Sequence, residues 1–208
     1  MNSRFQWIVF DYGNVLSDAQ DPIAVSAMAA ILNVSTSEFL PAYFEQRGPY
    51  DRGDIHGSEF WTRVASAIGI TLRPNSVSEL IELDIKSWIR TRPEVIQWAN
   101  SLTNHSFNIA ILSNMPHEQS QVFRLNQPWL QNFHKSILSA EINLRKPELA
   151  IYQHMLKNLG SPASRVLFLD DNHENINAAN RLGIKGFLFN SGQNLREQIS
   201  RVNSLLGL

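Results

Sequence analysis

The chain has 208 residues, enough for one sizeable core or for a core with a smaller insert. Its 18 basic and 19 acidic residues give a formal net charge of −1, and no basic tract of the kind that grips a nucleic-acid backbone is present. With no cysteine, disulfides, thiolate metal sites and a cysteine nucleophile are excluded, which is compatible with a reducing cytoplasm.

The first segment reads WIVFDYGNVLSD. Trp7–Phe10 is an apolar run that predicts a buried parallel strand, and it stops at Asp11. A run this short, broken by a carboxylate, fits neither a signal peptide nor a membrane span, so a soluble protein with no membrane partner is expected. From Asp21 to about Ser101 the pattern is helical, at Pro22–Leu32, Ser37–Arg47, Ser58–Ile68, Ser76–Trp88 and Pro93–Ser101. Arg47-Gly48-Pro49 and Arg52-Gly53-Asp54 read as turns between segments. A crossover between parallel strands needs only about a dozen residues. About eighty therefore makes an insertion, most simply a small helical bundle beside the carboxyl edge of a sheet.

Further strands are expected at Asn108–Leu112, Val166–Leu169 and Gly186–Phe189, with a weaker one at Ser136–Leu138. Between them Pro147–Leu159 reads as a helix, with Pro147 in its first turn and Gly160 at its stop. The alternation predicts an α/β fold: a Rossmann-like parallel sheet with helices on both faces, plus an inserted small helical cap domain. The core is placed at residues 1–16 and 102–208 and the cap at 17–101.

Ligands of open α/β sheets sit at the carboxyl ends of the strands. Asp11 follows the first strand, Ser113-Asn114 the second, and Asp170-Asp171-Asn172 the fourth, while Arg145-Lys146-Pro147 lies in the loop after the weaker one. Carboxylate oxygens with a backbone carbonyl make a hard-oxygen site suited to Mg²⁺. A lysine ammonium and a serine hydroxyl suit phosphoryl oxygens, and a carboxylate screened by a metal can attack phosphorus.

In their order, "FDYGNVL", "IAILSNM", "LRKPELAIY" and "VLFLDDNHENINAANRLG" resemble the four motifs of the haloacid dehalogenase-like (HAD) hydrolases, and the insert resembles that family's helical cap of the first type. The resemblance implies that Asp11 is a nucleophile forming an aspartyl phosphate, that Ser113, helped by Asn114, binds the phosphoryl group, and that Lys146 neutralises both. It implies that Asp171 holds Mg²⁺ with Asp11 and the carbonyl of Gly13, with Asp170 in or just outside the ligand shell.

The family's usual first motif is Asp-x-Asp, whose second acid protonates the leaving group; here that position is Gly13. Proton-transfer catalysis is worth ~10²–10⁴-fold. Three accounts stay open: a good leaving group such as an anomeric oxygen, a substitute acid such as Asp18 or the cap residue Asp51, or a protein that is a slow hydrolase or a non-catalytic binder. The Asp-x-Gly-Asn-Val form resembles a branch containing sugar-phosphate phosphatases similar to a bacterial α-glucose-1-phosphate phosphatase. The family's dehalogenases lack the acidic pair represented by Asp170-Asp171, which makes halide chemistry the weaker reading.

The expected activity is thus a Mg²⁺-dependent phosphatase acting on a small phosphorylated molecule, with sugar phosphates first among the candidates and a non-catalytic phosphate- or metabolite-binding regulator as its rival. Simpler roles stand beside these. Asp11 or Ser113 could cap a helix, Lys146 could be a solvated charge, and Asp170 is the more expendable acid of its pair. His117 and His173 read as exposed residues at helix starts, and Tyr12 reads equally as packing or as a specificity contact. Tyr43, Arg47, Tyr50, Asp51 and Arg52 read as a solvated loop around a glycine turn.

Overall fold

The computed structural model describes residues 4–73, 75–190 and 192–208; the first three residues assigned to the core lie outside them. Strands β1 (Trp7–Phe10), β2 (Asn108–Ser113), β3 (Lys135–Leu138), β4 (Val166–Asp170) and β5 (Lys185–Leu188) form a parallel sheet of order β3-β2-β1-β4-β5. Every residue of β1 and β4 is buried, as near-continuous apolar runs require at the centre of a sheet covered on both faces. The chain order reverses direction beside β1, so the carboxyl ends of β1 and β4 flank the switch point where such sheets bind ligands. Strands β2 and β4 each run one residue beyond expectation, which puts Ser113 and Asp170 inside the ladder, paired with Leu138 and Leu188.

Alternation divides the sheet's side chains between two cores. Ile8, Phe10, Ile109, Ile111, Leu167 and Leu169 face helices α5 (Pro93–Leu102) and α10 (Leu195–Leu206). Trp7, Val9, Ala110, Leu112, Val166 and Phe168 face α8 (Leu149–Leu159) and α9 (His173–Arg181). Helix α8 begins two residues later than expected, so Pro147 stands in the loop ahead of it. The shorter α6 (His117–Asn126) and α7 (Ser139–Ile142) follow β2 and β3.

Helices α1 (Pro22–Ile31), α2 (Thr36–Arg52), α3 (Gly57–Ala67) and α4 (Ser76–Ser87) enclose a third core around Met28, Phe39, Tyr43, Phe60, Trp61 and Leu80. Helix α5 does not join them. Its stripe of Val95, Ile96, Trp98, Ala99 and Leu102 packs on the sheet, so the insert's own core stops short of the residue-101 boundary drawn from sequence. The periodicity marks a buried face but not the surface that buries it.

Helix α2 overrides a turn signal. Ser35 caps its start, with Glu38 completing a reciprocal capping box, and the helix passes through Gly48-Pro49 to end at Gly53, whose φ is +87°. A proline inside a helix forfeits one backbone hydrogen bond. Tertiary packing offsets this, because Tyr50 is buried and stacks on Phe60 at 4.3 Å between ring centroids. No single helix among the described residues is long and apolar enough to cross a membrane; α1 and α2 reach that length only together, across a 95° bend.

Candidate active site

At the switch point three side chains from separate segments converge. Lys146, in the loop after α7, is 2% exposed and lies between two carboxylates, 2.8 Å from Asp11 Oδ1 and 2.7 Å from Asp170 Oδ2. Asp11 Oδ1 also accepts from the Tyr12 backbone N–H at 2.7 Å. Asp170 is wholly buried and both its oxygens are committed: Oδ1 accepts from the Asn172 backbone and from Asn175 Nδ2, and Oδ2 from Lys146 and Asn175 Nδ2. Asp170 is therefore the more integrated acid of its pair, contrary to expectation, and Asp171 is half-buried.

Charge is out of balance here. Burial pushes Asp11 up to about 8; Lys146 pulls against that rise, while Asp170 and Asp171 add to it. Asp171 is raised for the same first reason, burial, with Asp170 next. The ammonium of Lys146 is held above its ordinary value by Asp11 and Asp170 in spite of burial.

A divalent cation fits this arrangement. Asp11, Asp170 and Asp171 bring carboxylate oxygens within 4.8 Å of one another, all hard donors of the kind Mg²⁺ takes. Asn14 donates to Asp171 Oδ2 at 2.9 Å and so orients it; its φ of +59° is one that asparagine tolerates. Gly13, by contrast, has φ −59° and ψ 132°, which any residue can adopt. A Cβ there would make ordinary contact, 3.7 Å from the ring of Trp88. The glycine is not demanded by its backbone, and the indole stands where a longer side chain would point.

Ser113 is buried and lines the cavity above these acids, with its hydroxyl 3.4 Å from the Asn114 carbonyl. Asn114 lines the same cavity. Its amide donates to the Lys146 carbonyl at 2.9 Å and accepts from the Lys146 N–H at 2.8 Å, so the side chain also clamps the lysine's backbone.

The cavity, about 330 Å³, is closed on its far side by the insert through Phe44, Arg47, Asp51 and Trp88. Here the solvated-loop reading fails. Arg47 Nη1 donates to Asp84 at 3.0 and 3.1 Å and to the Tyr43 hydroxyl at 2.5 Å, while its Nε donates to Asp51 Oδ1 at 2.8 Å. The Tyr43 hydroxyl donates to Asp84 at 2.5 Å. Tyr43, Arg47 and Tyr50 lie at helical spacing on α2, and Arg47 sits over both rings at 5.3 Å. That spacing was the available signal, hidden by the Gly48-Pro49 turn reading.

Other predicted residues lie elsewhere. Asp18 pairs with Arg90 and Arg92 at 3.6 and 3.4 Å and does not line the cavity. His117 starts α6 with its ring 5.6 Å from that of His56, and His173 starts α9 exposed; neither lines the cavity. Tyr12 lines the cavity, packs edge-on against Phe123, and its hydroxyl donates to the Trp88 carbonyl at 2.8 Å. Asn14 and Asn175 were missed, having no feature in the sequence beyond being near an acid.

The sequence profile of the haloacid dehalogenase-like hydrolases matches residues 8–189. The chain belongs to this family. Among solved structures, a HAD family enzyme from Bacteroides thetaiotaomicron in complex with magnesium and inorganic phosphate superposes with a TM-score of 0.74 at 18% identity, over 93% of this chain and 98% of that one. An L-2-haloacid dehalogenase from Xanthobacter autotrophicus superposes with a TM-score of 0.68 at 17% identity, over 96% and 82%. These likenesses show the HAD fold. In sequence, the chain is 24% identical to a sesquiterpene phosphatase of Aspergillus oryzae over 89% of its own length and 90% of the relative's. It is also 24% identical to a drimenol cyclase of Aspergillus calidoustus, over 94% of its own length but spanning only 36% of the cyclase.

Proposed function

We propose that this HAD hydrolase is a Mg²⁺-dependent phosphatase of small phosphomonoesters. The observation that carries the reading is the single cavity that joins Asp11, Lys146, Asp171 and Ser113 beneath the insert. Asp11 is the nucleophile: Oδ1 is fixed by Lys146 and the Tyr12 N–H, which leaves Oδ2 to attack phosphorus and form an aspartyl phosphate. Lys146 neutralises Asp11 and the incoming phosphoryl group, and Asp170 holds that ammonium in place. Ser113 binds a phosphoryl oxygen. Asp11, Asp171 and the Gly13 carbonyl would hold the cation, which when bound supplies charge that screens phosphate from carboxylate. Asp170, with both oxygens committed, stands behind them.

Two substrate classes are favoured by different observations. The Gly13 motif form favours a sugar phosphate with an anomeric leaving group. The exposed Phe44 and the Trp88 ring at the cavity, together with the phosphatase relative, favour the monophosphate of an apolar, terpenoid alcohol. The testing experiment measures phosphate release at fixed Mg²⁺ from an aryl phosphate, sugar phosphates and prenyl monophosphates, with halide release from 2-chloropropionate alongside. Metal-dependent release from at least one ester is expected. Phosphate binding without release establishes the regulator instead, and halide release the dehalogenase.

A further inference from the structure

We propose that Asp51, in the last turn of α2, is the general acid and base of this site, acting from the insert in place of the side chain that Gly13 lacks. The proposal rests on the phosphatase reading above.

Elimination over the cavity's own groups leads there. The ionisable side chains lining it are Asp11, Tyr12, Arg47, Asp51, Lys146 and Asp171. Asp11 is the nucleophile, Asp171 faces the cation, and Lys146 is locked between two carboxylates. The Tyr12 proton is committed to the Trp88 carbonyl, and Arg47 stays charged. Asp51 is paired with Arg47 through one carboxylate oxygen only, and the other acid considered, Asp18, is outside the cavity.

Its geometry suits the task. Arg47 Nε holds Oδ1 at 2.8 Å, and Oδ2 has no hydrogen bond or ion pair among the described residues. The backbone is anchored from the sheet side, because Ser139 Oγ, just past the end of β3, donates to the Asp51 carbonyl. Gly53, two residues on, lies so close to Ala140 and His117 that a Cβ would come within 2.8 Å of both. Asp51 thus keeps a fixed place in the wall of the cavity that Asp11 also lines.

The charged groups facing Asp51 are Arg47 on its own helix, Asp84 on α4 and Arg145 in the loop before α8. Burial raises its pKa, Arg47 opposes that rise, Asp84 adds to it and Arg145 opposes it, for a net upward shift. A carboxyl with a raised pKa keeps its proton closer to neutrality, as a general acid needs.

The steps balance. As Asp11 Oδ2 bonds to phosphorus, the ester P–O bond breaks; its oxygen keeps the electron pair, takes the Asp51 proton and leaves as the alcohol. Asp51, now a carboxylate, takes a proton from water as that water's oxygen bonds to phosphorus and the Asp11–phosphorus bond breaks. Inorganic phosphate leaves, and both aspartates return to their starting forms.

The test compares Asp51→Asn with wild type on an alkyl phosphate and on p-nitrophenyl phosphate, whose leaving group departs unprotonated. Alkyl phosphate turnover should fall by ~10²–10⁴-fold. With p-nitrophenyl phosphate the variant should release about one nitrophenolate per site in a burst and then turn over slowly, because water has lost its base. Asp84→Asn, which disturbs the same arginine outside the cavity, should keep the wild-type ratio of alkyl to aryl rates. If Asp51→Asn does not fold, Asp51→Ala with added formate replaces it, and formate should restore alkyl turnover. Equal losses on both substrates without a burst, unchanged rates, or no formate rescue overturn the proposal for Asp51 alone. Wild type inactive on every ester overturns the phosphatase reading and this proposal with it.

Discussion

Two buried ion networks face each other across the cavity, one on the sheet and one on the insert. Each has a single cation for two carboxylates: Lys146 for Asp11 and Asp170, Arg47 for Asp51 and Asp84. They answer the surplus negative charge differently. On the sheet side the acids stand at or just past the ends of hydrogen-bonded strands, and Asp171 adds a third beside them, leaving oxygens for a divalent ion. On the insert side the Tyr43 hydroxyl donates to Asp84, so a neutral donor supplements the arginine. Each cation is shared by a pair of acids, but the neighbours decide whether such a cluster suits a metal or a proton.

The comparison can be broken at several points. The largest effect is expected at the nucleophile, where Asp11→Asn should lower kcat by ~10³-fold or more with the circular dichroism spectrum unchanged; retained turnover would remove Asp11 from its role. Lys146→Met leaves two buried carboxylates without their cation and should cost about 3–5 kcal/mol in urea denaturation.

Arg47→Met should cost less, on the order of 2 kcal/mol, because Tyr43 still donates to Asp84. That loss should widen as pH rises. Burial already holds Asp84 above its ordinary value, removal of Arg47 lifts it further, and an acid with a raised folded pKa costs stability once pH passes its unfolded value. Equal, pH-independent losses at Lys146 and Arg47 would show that the two networks are alike after all.

A cation effect comes next. At ten times its Kd, Mg²⁺ should stabilise the wild type by about 1.4 kcal/mol and Asp171→Asn by much less, read as a thermal shift. The smallest change is at an exposed control outside both networks, Glu38→Gln in the α2 capping box. Ser35 holds the Glu38 carboxyl below its ordinary value, so the wild type's advantage should be present above that value and vanish as pH falls below it.

Much of the sheet side was legible in the chain. Asp11, Ser113, Asp170 and Lys146 each follow or end a strand-like run or precede a helix, and parallel pairing brings such ends to one edge whatever the packing details. The insert side was not legible. Gly48-Pro49 is a turn signal at short range, and only the burial of Tyr50 against Phe60 and the ion pairs of Arg47 carry α2 through it. The same limit applies to Asn114, whose clamp on the Lys146 backbone joins residues 32 positions apart and leaves no local signal.

By itself, the sequence determined the parallel α/β core, the insertion of helices after β1 and the acids at the strand ends, because strand periodicity and strand termini are local properties. Only the tertiary structure decided that α5 belongs to the sheet, that Asp18 pairs with arginines outside the cavity, and that Asp51 lines Asp11's cavity. Those outcomes depend on which surfaces bury which helix faces, and contacts between residues far apart in the chain leave no periodic trace in it.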